Sequence, residues 1–233
     1  MKKLLIAICL IFFATTSFSQ RLVEKSIEVK NQKNVILDFD FADEIKIKGW
    51  DKDQILVKVS VSINENEDND AFLLEARELG SSIRFISEIE NMKKISKNRV
   101  IVKKSKDGKR ITTYSNNWQI DMDIYFEVFL PRNLDINLST ISGDVILTNI
   151  GGELNLETIS GFIDLKIERN ARASVKTSTI SGGVYTDHEI ELIRKMKGSK
   201  YHLVAGRSPD FKLNGGGREI KLETISGNIY IRK

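Results

Sequence analysis

Cysteine is all but missing from this 233-residue chain: the one present, Cys9, lies inside the apolar stretch at the N-terminus. Disulfides and thiol catalysis are therefore excluded beyond that stretch, and stability has to come from packing and backbone ladders. Histidine is scarce as well. With His188 and His202 alone, the choice of base for a hydrolytic triad is thin. Both fall in an irregular stretch, 186–210, and are expected at the surface. After the first twenty residues no apolar run reaches the length of a membrane-spanning helix, and the aromatic girdles of an outer-membrane barrel are lacking. An excess of one charge is lacking too. The formal net charge of +4 includes Lys2 and Lys3; without them the chain is nearly neutral, which gives no ground for a nucleic-acid partner.

The opening MKKLLIAICLIFFATTSFSQ has two lysines, an apolar run from Leu4 to Ala14 and then small polar residues. This is the pattern of a secretory signal peptide, residues 1–19, with cleavage after Ser19. Export to the periplasm, the cell surface or the medium is expected. Cys9 has only eight residues before it, whereas a lipid-modified cysteine follows a complete apolar region.

What the chain does contain is repetition. Thr-Ile-Ser-Gly occurs at 140–143, 158–161, 179–182 and 224–227. The starts are 18, 21 and 45 residues apart, and 45 is about two further units, so the period is that of a solenoid. Residues 151–165 and 216–231 match almost position for position after one inserted residue. Apolar residues alternate within each unit, as in Leu154, Leu156, Ile163 and Leu165, which predicts short strands with one buried face. Read as extended chain, the tetrapeptide is expected to point Ile141, Ile159, Ile180 and Ile225 inward and its Thr and Ser outward. Gly143, Gly161, Gly182 and Gly227 would turn the corners. An outward hydroxyl ladder would support the stack, its lattice broken by the uneven spacings. Stacked units would bury a continuous column, giving an all-β chain in the form of a right-handed β-helix or β-solenoid over 131–233.

The first half, 20–130, reads as a β-rich region, either separate from the repeats or continuous with them. Alternation marks strands around Ile27 to Val29, Val35 to Phe41, Ile45 to Ile47, Ile55 to Ile63, Ile83 to Ile89 and Ile120 to Leu130, the last ending at Pro131. Residues 71–79 (AFLLEAREL), closed by Gly80, predict one short helix with Asp70 as N-cap. Val100 to Lys103 and Ile111 to Tyr114 flank Asp107-Gly108, a tight-turn signal. Between Lys93 and Arg110 stand nine Lys or Arg against one Asp. Lys93, Lys94, Lys97, Arg99, Lys103, Lys104, Lys109 and Arg110 are thus candidate contacts for an anionic partner; the plainer reading is a solvated edge hairpin guarded by lysines.

Catalytic chemistry finds little support. Asp187-His188-Glu189 is the nearest approach to a metal site, and three consecutive residues do not converge easily on one ion. Asp144, Glu157, Asp164 and Glu223 could flank a glycosidic bond, yet Glu157 and Glu223 are equivalent positions of a duplicated unit. Gly215-Gly216-Gly217 lacks the Lys-Ser/Thr of a phosphate loop and suits a corner. Trp50 and Trp118 could stack on sugars but fall where packing is expected. No catalytic residue, metal or cofactor is assigned.

The signal peptide, the segment IKIKGWDKDQILVKV at 45–59, the strand VFLPRNLDINLSTISGDV at 128–145 and the repeated units together resemble the DUF4097 family of secreted bacterial "putative adhesins", common in Bacteroidetes. The resemblance covers essentially the whole chain after the leader, and most specifically 128–233. It implies a right-handed β-helix or β-solenoid at the cell envelope, with adhesion as a label assigned by similarity, and supplies no catalytic residues. The reading is a non-enzymatic envelope protein that binds a polysaccharide or a cell-surface protein through its lateral surface. The alternatives are a polysaccharide lyase or hydrolase on the same scaffold and an envelope-stress or signalling accessory protein that uses the basic hairpin.

Overall fold

The computed structural model describes residues 20–104, 110–193 and 209–233, with the backbone alone for 97–104 and 110–119. The leader, the Asp107-Gly108 turn, Lys109 and His202 lie outside the described residues. The chain is all-β. Its first four strands are β1 (Arg21–Glu28), β2 (Asn34–Phe39), β3 (Phe41–Trp50) and β4 (Gln54–Ile63). There follow β5 (Phe72–Leu79), β6 (Ser82–Ile89), a one-turn helix α1 (Met92–Ile95), β7 (Lys97–Lys104), β8 (Arg110–Gln119) and β9 (Met122–Pro131). The repeats contribute β10 (Asp135–Thr148), β11 (Leu154–Ser160), β12 (Ile163–Lys166), β13 (Ala173–Ser181) and β14 (Val184–Thr186). Then come β15 (Glu191–Leu192), β16 (Phe211–Leu213), β17 (Arg218–Ser226) and β18 (Ile229–Arg232).

Sixteen of these strands form one open sheet made of two ladders that share β10. The first ladder runs β5-β6-β2-β10-β11-β17-β13-β16-β15. The second runs β1-β4-β9-β3-β10-β12-β18-β14. Strand β10 serves both because it turns at Gly143, where φ is +128°. The core lies where the inner faces meet: Phe39 of the first ladder stacks on Phe126 of the second at 4.2 Å between ring centroids. Around them the aliphatic side chains of every second residue are buried, as period-2 alternation demands. Strands β7 and β8 pair antiparallel in a small sheet of their own.

The repeats stack in register but not in chain order. Thr140 pairs with Thr158, Thr158 with Thr224, and Thr224 with Thr179. The fourth copy therefore slots between the second and third, which a coil wound rung by rung would not give. The 45-residue gap does not hold two further parallel rungs among the described residues: it contains β16, which runs antiparallel against the outer side of β13, and β15, antiparallel to β16 in turn. Uneven spacing is absorbed in the connections, so the ladder itself keeps perfect register.

Two local expectations are overturned. Residues 72–79 form strand β5, not a helix. Gly80, at φ +59°, turns the chain so that β5 pairs along its whole length with β6. The good helix formers Leu, Glu, Ala and Arg yield to that pairing, which buries Phe72 and Leu74. The second correction concerns the tetrapeptide, whose phase is reversed. Thr140, Thr158, Thr179 and Thr224 are buried, whereas Ile141, Ile159, Ile180 and Ile225 are 41–70% exposed.

The corner explains the reversal. At Gly161, φ is +134°, and a Cβ would stand 2.2 Å from the carbonyl oxygen of Gly143 on the neighbouring rung. Such close approach leaves corner carbonyls inside the wall, and the threonine hydroxyls donate to them. Thr140 Oγ1 donates to the Ser142 carbonyl at 2.7 Å and Thr158 Oγ1 to that of Ser160 at 3.2 Å. Thr224 Oγ1 reaches the Gly161 carbonyl at 3.1 Å, and Thr179 Oγ1 that of Gly227 at 2.9 Å. A buried carbonyl without a partner costs about 1–3 kcal/mol, so threonine is required inside and isoleucine is displaced outward.

Two substitutions test this corner. Thr158→Val, nearly isosteric, should lower stability by about 1–2 kcal/mol in urea unfolding. Gly161→Ala should cost about 3 kcal/mol or more, or leave no folded protein, because backbone conformation and space both exclude a Cβ.

Candidate binding surface

Reversal of the tetrapeptide puts an apolar ridge on the outside of the first ladder. In spatial order it comprises Ile141, Ile159, Ile225 and Ile180, one per rung, about 4.8 Å apart. The next outward column toward the strand N-termini is Ser139, Glu157, Glu223 and Ser178, and beyond it stand Asn137, Asn155, Lys221 and Lys176. Lys221 Nζ lies 3.2 Å from Glu157 and 2.9 Å from Glu223. These bonds, that to Glu223 first, hold its amine above the usual lysine value. The ridge is thus apolar, narrow and bordered by fixed charge.

The second ladder carries a different group. Outward positions that follow the corner are Asp144, Phe162, Asn228 and Gly183, then Ile146, Asp164, Tyr230 and Tyr185. Tyr230 and Tyr185 stack at 5.3 Å with an 18° interplanar angle, and Phe162 meets Tyr230 edge-on at 6.1 Å. Asn228 Nδ2 donates to the Tyr230 hydroxyl at 3.0 Å. Sequence reasoning passed over these aromatics. Their signal was available in the duplicated units, where the residue after the inward Ile or Val is Asp164, Tyr230 and Tyr185 in three copies.

The four carboxylates with catalytic potential are occupied structurally. Asp144 Oδ1 accepts the backbone N–H of Phe162, as Asn228 Oδ1 accepts that of Gly183 one rung pair further on. Asp164 is gripped by both Nε and Nη2 of Arg232, and Glu157 and Glu223 share Lys221. The two pairs stand on different ladders rather than across one cleft. A shallow, open depression lined by Phe41, Ala42, Asp43, Met122, Ile124 and Ser142 lies elsewhere, at the junction of β3, β9 and β10.

Other candidates are placed as follows. Lys93 and Lys94 are exposed on α1. Lys97, Arg99, Lys103, Lys104 and Arg110 lie on β7 and β8, whose side chains are outside the described residues, as is that of Trp118. Trp50 packs on Phe129 at 5.4 Å and donates from Nε1 to the Gln54 carbonyl, a corner-packing role. Gly215 and Gly216 adopt positive φ in the turn between β16 and β17. His188 is buried rather than at the surface, and its backbone N–H donates to Thr186 Oγ1 at 3.1 Å. No group of three or more His, Asp or Glu among the described residues could hold a metal ion, and no described helix is long and apolar enough to cross a membrane.

No known family profile matches the chain, and no curated protein does. Among solved structures the chain is similar to a "putative cell adhesion protein" from Clostridium sporogenes ATCC 15579. The TM-score is 0.55 and the identity 15%, over 91% of this chain and 99% of that one. Weaker matches include a "putative adhesin" from Parabacteroides distasonis ATCC 8503, with TM-score 0.31 and 12% identity over 72% of this chain and 65% of that one. Another is a "putative adhesin" from Bacteroides fragilis NCTC 9343, with TM-score 0.23 and 11% identity over 92% and 97%. At 15% identity the first is a likeness of fold, and the others carry no argument.

The orientation of the ridge is open to a direct check. Ile159→Ser and Ile225→Ser should each change unfolding free energy by no more than about 0.5 kcal/mol. Leu156→Ser or Leu222→Ser, three residues back and inward, should cost at least about 3 kcal/mol.

Proposed function

We propose that the protein is an exported, non-enzymatic scaffold of the bacterial cell envelope, of the DUF4097 kind, that binds a surface polymer or protein through the isoleucine ridge. In this reading the two ladders are the walls of a β-solenoid, and export rests on the leader sequence. One observation carries the assignment of the surface. Outward positions on the N-terminal side of the ridge vary from rung to rung, Ser or Glu in one column and Asn or Lys in the next, whereas the ridge position is isoleucine in all four, followed in each by serine. Packing does not require the isoleucine, because it is 41–70% exposed in the four copies. A constraint from outside the fold accounts for an unchanging exposed apolar residue.

The fold likeness to a protein described as one of cell adhesion is in keeping with this reading. A second copy as sole partner is disfavoured by size: the four isoleucines offer roughly 400 Å² per copy, half of what a stable dimer uses. The absence of catalysis is supported by the carboxylates, each tied into the frame.

The test is co-sedimentation with isolated cell envelopes. Wild type should pellet with them, and a variant with all four ridge isoleucines changed to serine should stay in the supernatant while keeping its Tm. Equal pelleting of both would overturn the assignment of the ridge. Release of reducing ends from a polysaccharide, lost in Asp144→Asn or Asp164→Asn, would replace the scaffold reading with an enzyme.

A further inference from the structure

The aromatic column on the second ladder ends in an unfinished stack. Tyr185 stands on β14, which pairs with β18 on one side and with nothing on the other among the described residues. Its ring is nearly parallel to that of Tyr230 at 5.3 Å, so one face is covered and the opposite face looks out from the end of the ladder. The residue is 53% exposed. Its position is nonetheless fixed. Gly183, on the same side of the strand, leaves a notch that the Tyr185 ring fills: a Cβ there would stand 2.7 Å from the Tyr185 hydroxyl oxygen and 2.8–2.9 Å from ring carbons. The preceding rungs have Phe162 and Asn228 at this place. Polar groups border the ring, with Asn228 close by in the ladder and the guanidinium of Arg232 already neutralised by Asp164.

We propose that the free face of Tyr185 is a stacking platform for a neutral pyranose unit of an envelope polysaccharide. The proposal rests on the reading of the protein as a binding scaffold but uses a surface separate from the ridge. The C–H groups on one face of a sugar ring are weakly positive and suit the negative face of an aromatic ring, while the hydroxyls at its rim need polar neighbours. A ring locked between Tyr230 and the Gly183 notch loses little freedom on binding. The edge strand adds unpaired backbone groups that can meet the sugar hydroxyls. A neutral ligand fits because Asp164 and Arg232 satisfy each other and the exposed Asp187 carboxylate, two residues after Tyr185, repels an anionic sugar. Continuation of the stack head to tail by a second copy finds no counterpart, since β1 at the other end of the ladder carries no aromatic residue.

The test is affinity electrophoresis of the full chain in native gels that contain dissolved laminarin, xylan, mannan or dextran. At least one should retard the wild type. Tyr185→Ala should weaken that interaction at least about tenfold, Tyr185→Phe should keep it, and Gly183→Ala should weaken it by pushing the ring out of place. Because Tyr185→Ala could loosen β14, the Phe and Gly183→Ala variants carry the conclusion if its Tm falls. The ridge variant with four serines should be retarded like wild type; its loss of envelope binding bears on the scaffold reading alone. The proposal is overturned if none of the four polysaccharides retards the protein or if Tyr185→Ala binds as well as wild type. It is overturned too if wild type sediments as a dimer that Tyr185→Ala dissolves, which would mean that two Tyr185 faces cover each other.

Discussion

The corner between the two ladders is the constraint on which the rest depends. Rungs spaced at the interstrand distance can turn together only if each corner tolerates the carbonyl of the rung beside it. Gly143, Gly161, Gly227 and Gly182 meet that condition by presenting no side chain toward the neighbour. The same closeness turns the corner carbonyls away from water, and the threonine three residues earlier supplies the missing donor. Once threonine is inside, the phase of both flanking strands is settled. Leu156 and Leu154 must be inward before the corner, and Ile163 and Leu165 inward after it. One bond type at one place therefore sets the burial pattern of the whole repeat region.

The order of the rungs follows from side-chain equivalence rather than from chain connectivity. The second and fourth units have inward residues of equal size at the same positions, Leu154 against Ile220, Leu156 against Leu222 and Thr158 against Thr224. Matched columns of this kind stack with no change of volume from one rung to the next. The third unit begins with the smaller Ala173 and Val175, and against these lies β16, antiparallel to β13, with β15 antiparallel to β16 beyond it. A parallel ladder that ended on β13 would offer an open edge for uncontrolled pairing; the short reversed strand β16 covers the start of it.

Much of this was legible in the sequence. Alternation located β2, β3, β4, β6 and β9 to within a few residues, and the tetrapeptide located the corners. What failed did so for physical reasons. Ranking side chains by hydrophobicity puts isoleucine inside and threonine outside, and it cannot see a buried carbonyl that only the folded corner creates. Residues 72–79 carry helix formers, and their strand pairing depends on β6 beyond a glycine turn. The 45-residue interval suggested more rungs because a period in sequence says nothing about an excursion that leaves the ladder and returns to its middle. The aromatic positions recur in the repeat units, but their members become neighbours only through that return.

A row of exposed isoleucines is ordinarily a hazard in a β-rich chain, since flat apolar ladders associate edge to edge and face to face. Here the hazard is contained by geometry: the ridge is one residue wide, and Glu157, Glu223, Lys221 and Lys176 stand close beside it with their charges in place. Serine or threonine at the ridge would remove the hazard altogether at no cost to the corner, whose hydrogen bonds use the residue before. That four units retain isoleucine therefore separates the two requirements in this repeat. Threonine and glycine answer to the fold, and isoleucine, in the function proposed above, to a partner. The same separation holds on the second ladder. There Asp144 and Asn228 hold neighbouring rungs together, and Tyr185, one residue beyond the last inward valine, is left with a face that no part of the described chain uses.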